Sequence, residues 1–211
     1  MFILKNSRHI LLLMLVQSFE FIQTKQCNIP DDNEDIDWNN FPEAWFEVLH
    51  TFDPVMDKDV FGAKLHNFTK TSTGMNMIVT ELHKNFPPQT YAVHYTKKKA
   101  GIYRLAQNDE PALEASHTLT PEGERSEDAA KIDDALLNGN LLISSDEENY
   151  IIYAFCSYSD EWVVWVVFPS MNPTIQQLTL MWNKLMESGI NVQLHLYESV
   201  EHPEKYMGFD R

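Results

Sequence analysis

The sequence is poor in cations and in glycine. Its 211 residues include 16 Lys and Arg against 31 Asp and Glu, and the formal net charge is −15. Such a charge repels nucleic-acid phosphates and anionic membranes, so we expect no nucleic-acid partner. Seven glycines leave little material for a phosphate-binding glycine loop. Hydrophobic residues nevertheless make up 44% of the chain and aromatic residues 12%, which is enough for one folded domain with a core.

The sequence also lacks a hydrophobic run long enough to span a membrane. The apolar stretch at 10–16 follows Lys5 and Arg8 and ends at Gln17, far short of about 20 residues. A basic segment followed by a short apolar one predicts a secretory signal peptide over residues 1–26, and hence an extracellular protein without a membrane span. Removing three cations and one anion with it would change the charge from −15 to −17. A buried N-terminal helix is the alternative.

Only two cysteines are present, Cys27 and Cys156. In an oxidising compartment one disulfide is the single intramolecular option, and two free buried thiols are the alternative. A bond between them would close a loop of 129 positions. Closing this loop would stabilise the fold by on the order of 4–5 kcal/mol in the chain-entropy model. Asn67 begins the one usable glycosylation sequon, because proline blocks the sequon at Asn172.

Alternating apolar and polar residues dominate the chain after a polar arm at 27–40. The alternation predicts strands at about 43–52, 61–70, 74–82, 89–97, 101–107, 140–145, 149–158 and 161–168. A helix is predicted from the first-turn Pro173 to a stop at Gly189, with a last strand at 192–196. Strands in this number imply a closed barrel or a sandwich, and the helix favours an eight-stranded antiparallel barrel with one helix packed outside.

An acidic segment at 108–135 interrupts the strands. It is interpreted as a solvated loop insertion with a helical turn near 128–137. A second interpretation places it at the entrance of a pocket, where it would favour cationic ligands such as biogenic amines. The domain is expected to cover 41–200, followed by a polar tail at 201–211.

Three segments together resemble the lipocalin signatures. Asp37 to Val48 is similar to the first, with Trp45 as its tryptophan; 146–156 is similar to the second, and 164–167 to the third. Glu43 replaces the family's glycine and Pro169 its arginine. The resemblance implies an eight-stranded up-and-down barrel with Trp45 as a structural residue. Within the family, the second segment is most like apolipoprotein D and insect bilin-binding proteins, which implies a Cys27–Cys156 disulfide.

A barrel of eight strands is wide enough to hold one small ligand. If Cys156 faces outward, alternation turns Ile151, Tyr153 and Phe155 inward. The predicted ligand-binding residues are Tyr91, Val93, Tyr95, Tyr103, Leu105, Ile151, Tyr153, Phe155, Val163, Trp165 and Met77. Val167 and Met75 are further inward candidates. The alternative is that these side chains only fill the core.

Catalytic motifs are missing from the sequence. There is no Gly-x-Ser-x-Gly, and the eight histidines show no metal-ligand spacing. His50 and His94 are possible haem ligands but are expected at the surface. We therefore predict neither an enzyme nor a cofactor or metal site. The predicted function is a secreted carrier of a small hydrophobic ligand of the lipid, sterol, retinoid or bilin class. The alternative is a secreted protein- or amine-binding antagonist acting through the barrel loops, with an unknown protein partner.

Overall fold

A computed structural model describes residues 27–30, 34–39, 41–51, 60–83, 87–106 and 127–201. The predicted signal peptide, the tail after 201 and most of the acidic insertion lie outside these residues. Within the described part, no helix is both long and apolar enough to cross a membrane.

The core of the molecule is a closed antiparallel barrel of eight strands. Each strand pairs with the next along the chain, and β1 closes the barrel by pairing with both β8 and β2. This confirms the predicted fold class. The strands are β1 Ala44–His50, β2 Val60–Lys70, β3 Gly74–His83, β4 Gln89–Lys99, β5 Ile102–Leu105, β6 Leu141–Ser145, β7 Ile151–Cys156 and β8 Trp162–Phe168.

Alternation along each strand divides the buried residues into two clusters. One cluster fills the barrel interior, and on β7 it contains Ile151, Tyr153 and Phe155. The other lies on the outer wall, where Ile152 and Ala154 pack beneath a helix. Alternate side chains of the same strands therefore form an inner and an outer apolar layer.

The C-terminal segment fills a gap in the barrel wall. β1 pairs with β2 only as far as Phe46 and Lys64, and the register of β1 against β8 shifts between Glu47 and Leu49. Beyond this bulge a short strand, β9 (His195–Leu196), pairs with β1. The single-turn helix α3 (Glu198–Glu201) then places Ser199 against Gly62 of β2, where a Cβ on the glycine would clash. The predicted final strand is thus much shorter than 192–196.

The outer helix α2 spans Ile175–Glu187, and its start differs from the prediction. Thr174 is the N-cap: its hydroxyl accepts from the Gln177 N–H, and the Gln177 side chain accepts from the Thr174 N–H. This capping box places Pro173 just before the helix rather than in its first turn. The helix ends as expected, because Gly189 has a φ of 69° and Ile190 N donates to Leu185 O.

The predicted disulfide between Cys27 and Cys156 is present, with Cα atoms 5.6 Å apart. It joins the N-terminal arm to the end of β7, and Cys27 N also donates to Asp160 O. A further helix, α1 (Glu127–Asn138), precedes β6, close to the helical turn predicted within the acidic insertion.

Candidate functional site

All eleven predicted ligand-binding residues lie at the barrel interior. Nine are buried there, and Tyr91 and Trp165 are partly buried and pack against the same cluster. Trp45, Met75 and Val167 join them. The structure therefore brings together the whole predicted set, while the ligand-binding role of its members stays a prediction.

Two acidic residues that the sequence analysis did not select share this interior. Glu81 is 3% exposed and pairs across the sheet with Ala63, an interior residue. Glu47 is 7% exposed and pairs with the interior Val167. Alternation was the signal that could have found both, since Glu81 continues the interior row of Met75, Met77 and Val79, and Glu47 lies two residues after Trp45.

Strand register places these two carboxylates on nearby wall positions. Trp45, Leu65 and Val79 are matched in one row across β1, β2 and β3. One step further along the same face, Glu81 pairs with Ala63, and Glu47 follows Trp45 on β1 just beyond the last β1–β2 pair, Phe46 with Lys64. Both carboxylates therefore belong to the interior face of the wall that β1, β2 and β3 form.

Glu81 forms a buried polar group with residues of β3 and β4. Its Oε2 lies 3.3 Å from Nε2 of His83, which is also buried. The hydroxyl of Tyr91 donates to its Oε1. This group lies at the end of the barrel where β3 finishes, and we call it the Glu81 group (Glu81, His83 and Tyr91).

Glu47 lies near a cluster of tyrosines deeper in the barrel. Burial raises the pKa of Tyr153 well above its usual value, and the nearby Tyr95, Glu47 and Tyr103 raise it further. The Tyr153 hydroxyl is 3.5 Å from the Met77 sulfur, and its ring lies 6.5 Å from that of Tyr95. The interior therefore favours neutral phenols and disfavours additional negative charge.

Two tryptophans in or against the interior cluster carry buried indole N–H groups. Nε1 of Trp45 and Nε1 of Trp165 are buried, and neither has a hydrogen-bond partner within the described residues. Trp165 also packs edge-on against Phe155, with ring centroids 5.2 Å apart. A ligand oxygen is able to accept from either donor, which would remove the cost of burying it.

Aromatic residues close one end of the barrel, which we call the floor. The Trp38 ring stacks on Phe41 at 4.8 Å and on Phe68 at 5.9 Å, and Phe41 lies 5.5 Å from Trp45. Trp38 Nε1 donates to the Tyr103 hydroxyl at 3.0 Å. These contacts seal the floor in a chain that has Pro169 where the resemblance places an arginine.

Helix α1 lies at the opposite end. It leads into β6, whose first residue Leu141 pairs with Phe155 near the end of β7. Its buried Leu136 joins the interior cluster, and Ile132 packs against that cluster. Part of the predicted acidic insertion thus contributes apolar contacts to the interior, in addition to a solvated face.

The two histidines considered as haem ligands are not equivalent. His50 was expected at the surface but is 2% exposed, because its ring packs 4.3 Å from that of Tyr197 and its Nδ1 is 2.8 Å from Thr51 O. His94 lies between the inward-facing Val93 and Tyr95 and is therefore on the other face of β4. No group of three or more potential metal ligands occurs among the described residues.

Comparisons with known proteins identify the fold. No protein-family model matches the chain, and no curated protein matches its sequence. A major allergen from cockroaches, Per a 4, is similar in structure at 10% identity, with a TM-score of 0.55, covering 82% of this chain and 94% of that one. A biogenic amine-binding protein is similar at 15% identity and a TM-score of 0.51, covering 85% and 89%.

The amine-binding protein of Rhodnius prolixus, solved as its tryptamine complex, is similar at 14% identity and a TM-score of 0.50, with coverage of 85% and 89%. These neighbours have the lipocalin fold, and two of them are amine-binding proteins. At such identities the likeness shows the fold alone, and the fold is the one that the sequence resemblance implied.

Proposed function

We propose that this protein carries a small amphiphilic ligand inside the barrel, and that the ligand combines an aromatic or aliphatic body with a basic amine. The observation that supports this most directly is the pair of buried, inward-facing carboxylates, Glu47 and Glu81, on a wall of aromatic residues.

Burial strengthens the attraction between a carboxylate and a ligand ammonium, because the effective dielectric constant is lower than in water. The surrounding rings add cation–π attraction, and the apolar wall contributes about 25 cal/mol per Å² of apolar surface removed from water. Two proteins with the same fold are amine-binding proteins, one of them solved with tryptamine. Their likeness agrees with the choice of ligand class.

A hydrophobic ligand without an amine, of the lipid, sterol, retinoid or bilin class, is the second candidate. It is favoured by the apolar part of the lining, especially Met75, Met77 and Leu105. Thioether side chains adapt to varied shapes and would suit several such ligands. This candidate gives the two carboxylates no role in ligand binding.

We further propose that the chain is secreted after loss of residues 1–26, with glycosylation at Asn67. The disulfide supports an oxidising compartment. Asn67 is exposed, with a φ of 55°, at an irregularity of β2. A closer relation to apolipoprotein D and bilin-binding lipocalins remains part of this proposal, as does the expectation that the protein is not an enzyme.

Three matched ligands test the proposed class by calorimetric titration. Tryptamine carries the amine, tryptophol replaces it with a hydroxyl, and indole-3-propionate replaces it with a carboxylate. We expect tryptamine to bind at least about tenfold more tightly than tryptophol, since hydrogen bonds to charged groups contribute about 1.5–3 kcal/mol. Indole-3-propionate should bind most weakly. Equal binding of tryptamine and tryptophol, together with tight binding of retinol or a fatty acid, would select the second candidate, a hydrophobic ligand without an amine.

Isosteric variants locate the amine. Glu81→Gln and Glu47→Gln keep the side-chain shape but remove the charge, and at least one should weaken tryptamine about 30-fold or more, as expected when a buried charge pair loses one partner. Glu43→Gln is the matched control, because Glu43 is exposed just before β1. Unchanged tryptamine affinity in both interior variants would contradict the proposal even if the barrel binds other ligands.

A further inference from the structure

The Glu81 group contains a buried histidine beside its carboxylate. The His83 side chain is 1% exposed, and its Nε2 lies 3.3 Å from Oε2 of Glu81. Neither ring nitrogen of His83 has a hydrogen-bond partner within the described residues. The contact with Glu81 becomes an ion pair only when the imidazole is protonated. The carboxylate is therefore the group that stabilises the charged form of His83.

Imidazole is the side chain whose charge ordinarily changes between pH 5 and 8. Burial disfavours the charged form, whereas an adjacent carboxylate favours it. Tyr91 donates to the other carboxylate oxygen, Oε1, so the two partners of Glu81 occupy different oxygens. In the ligand-free barrel the charge of Glu81 is thus available to a protonated His83.

A ligand ammonium bound at Glu81 would compete with this imidazolium. One carboxylate carries a single negative charge and offsets only one of the two cations. Like charges repel strongly in a buried site, because the effective dielectric constant is low. The ammonium of an alkyl amine keeps its proton up to about pH 10. His83 is therefore the group that gives up a proton when the amine arrives.

We propose that an amine binds at Glu81 in exchange for the proton of His83, and that this exchange makes the carrier release its ligand in mild acid. The inference rests on the proposed function and assigns the amine to Glu81 rather than to Glu47. The ligand-free protein holds more protons than the complex, so a fall in pH favours the ligand-free form. For one exchanged proton, affinity falls by up to about tenfold per pH unit as His83 becomes protonated.

Other titratable groups share this end of the interior. Val60 of β2 lies opposite His83 and packs with Tyr197, whose ring lies 4.3 Å from that of His50. With the Glu81 group, the titratable side chains on β1, β3, β4 and the C-terminal segment at this face are Glu47, His50, Glu81, His83, Tyr91 and Tyr197, and α3 adds Glu198. Histidines are the members of this set that ordinarily titrate near neutral pH. His50 is therefore the group whose titration has to be separated from that of His83.

Calorimetric titration with tryptamine, in pairs of buffers that differ in ionisation enthalpy, counts the protons released on binding. We expect release to approach one proton at a pH between 5 and 8, with weaker binding on the acidic side. Tryptophol is the matched ligand control, since it has no ammonium and should release no proton. This measurement uses the wild-type protein and does not depend on the folding of any variant.

Three variants assign the proton. His83→Gln removes the titrating group and should abolish the release, so that tryptamine affinity changes less than about twofold between pH 6 and 8. His50→Gln, on the other side of β2, should retain the release. His94→Gln is the matched control on the outer face of β4 and should also retain it.

Tryptamine that binds without releasing a proton at any pH from 5 to 8 would overturn the exchange and leave the amine carrier intact. Release that persists in His83→Gln, or that is lost in His50→Gln alone, would overturn the assignment to His83. If tryptamine does not bind at any pH, the proposed function fails together with this inference.

Discussion

The two apolar clusters of this protein differ in what they bury. The outer cluster, between the barrel wall and α2, consists of aliphatic residues, Phe168 and Met181, with Tyr150 as its ionisable member. The interior shares its face of the wall with Glu47, Glu81 and His83, and itself contains Tyr95, Tyr103 and Tyr153.

Both clusters are built from the same strands, so secondary structure does not explain the contrast. Burying a carboxylate costs free energy unless hydrogen bonds or opposite charges offset the lost hydration. Residues chosen only to stabilise the fold would make the interior resemble the outer cluster. This difference between the two clusters is what the proposed binding role of the interior depends on.

The largest expected effect is in the outer cluster. Phe168→Ala removes a fully buried ring and should lower the free energy of unfolding by about 3–5 kcal/mol, measured by denaturant titration. Ligand affinity of the folded fraction should stay unchanged, because Phe168 faces away from the interior. A folded variant that had lost ligand binding would contradict the division between the two clusters.

Alkaline pH should affect the interior next. Tyr153 has a pKa above its usual value because it is buried, with smaller contributions from Tyr95 and Glu47. Below about pH 10 the phenol is neutral in both states and its contribution to stability is complete. Above pH 10 the unfolded chain loses this proton while the folded protein keeps it, so stability falls by up to about 1.4 kcal/mol per pH unit.

Tyr153→Phe should reduce this loss, measured as the free energy of unfolding between pH 9 and 12. Tyr158→Phe, on an exposed turn, is the control and should leave the profile unchanged. Tyr150 is the corresponding tyrosine of the outer cluster. Its pKa is raised to about 12, mainly by burial and to a lesser extent by the charge of Asp146. If Tyr153→Phe behaves like the wild type, ionisation of this interior tyrosine does not limit alkaline stability.

The smallest expected effect is at the floor. Trp38→Phe keeps an aromatic ring beside Phe41 but removes the N–H that donates to Tyr103. We expect a loss of about 1–2 kcal/mol for leaving the buried hydroxyl without this donor. Burial raises the pKa of Tyr103 and the Trp38 hydrogen bond lowers it, so the variant should raise this pKa further in a spectrophotometric titration. A lower pKa in the variant would show that the hydrogen bond does not favour the phenolate.

The strands were the most predictable part of the protein. Alternation located all eight barrel strands, and the ends of β3 and β8 agree within one residue or fewer with 74–82 and 161–168. The start of the outer helix was predicted less accurately, because two sequence signals for a helix N-terminus lie next to each other. Pro173 suggested the first turn of α2, but the capping box of Thr174 and Gln177 begins the helix one step later.

The candidate site was only half predictable. The apolar lining follows from alternation, whereas Glu47, Glu81 and His50 were missed because charged and polar residues are ordinarily assigned to the surface. Their burial depends on contacts between distant segments. Glu81 accepts a hydrogen bond from Tyr91 of the neighbouring strand β4. His50 is covered by Tyr197, which lies 147 residues further along the chain, just after β9.

The sequence by itself determined the antiparallel barrel, the outer helix and the cysteine pair, because periodicity and composition are local properties that short-range physics converts into strands and a helix. Only the tertiary structure decided which carboxylates share the interior, how aromatic rings seal the floor, and which apolar side chains of α2 remain exposed. Those outcomes depend on strand register and on the bulge in β1. A shift of one residue in either would exchange the inner and outer faces, so they become defined only when the barrel closes.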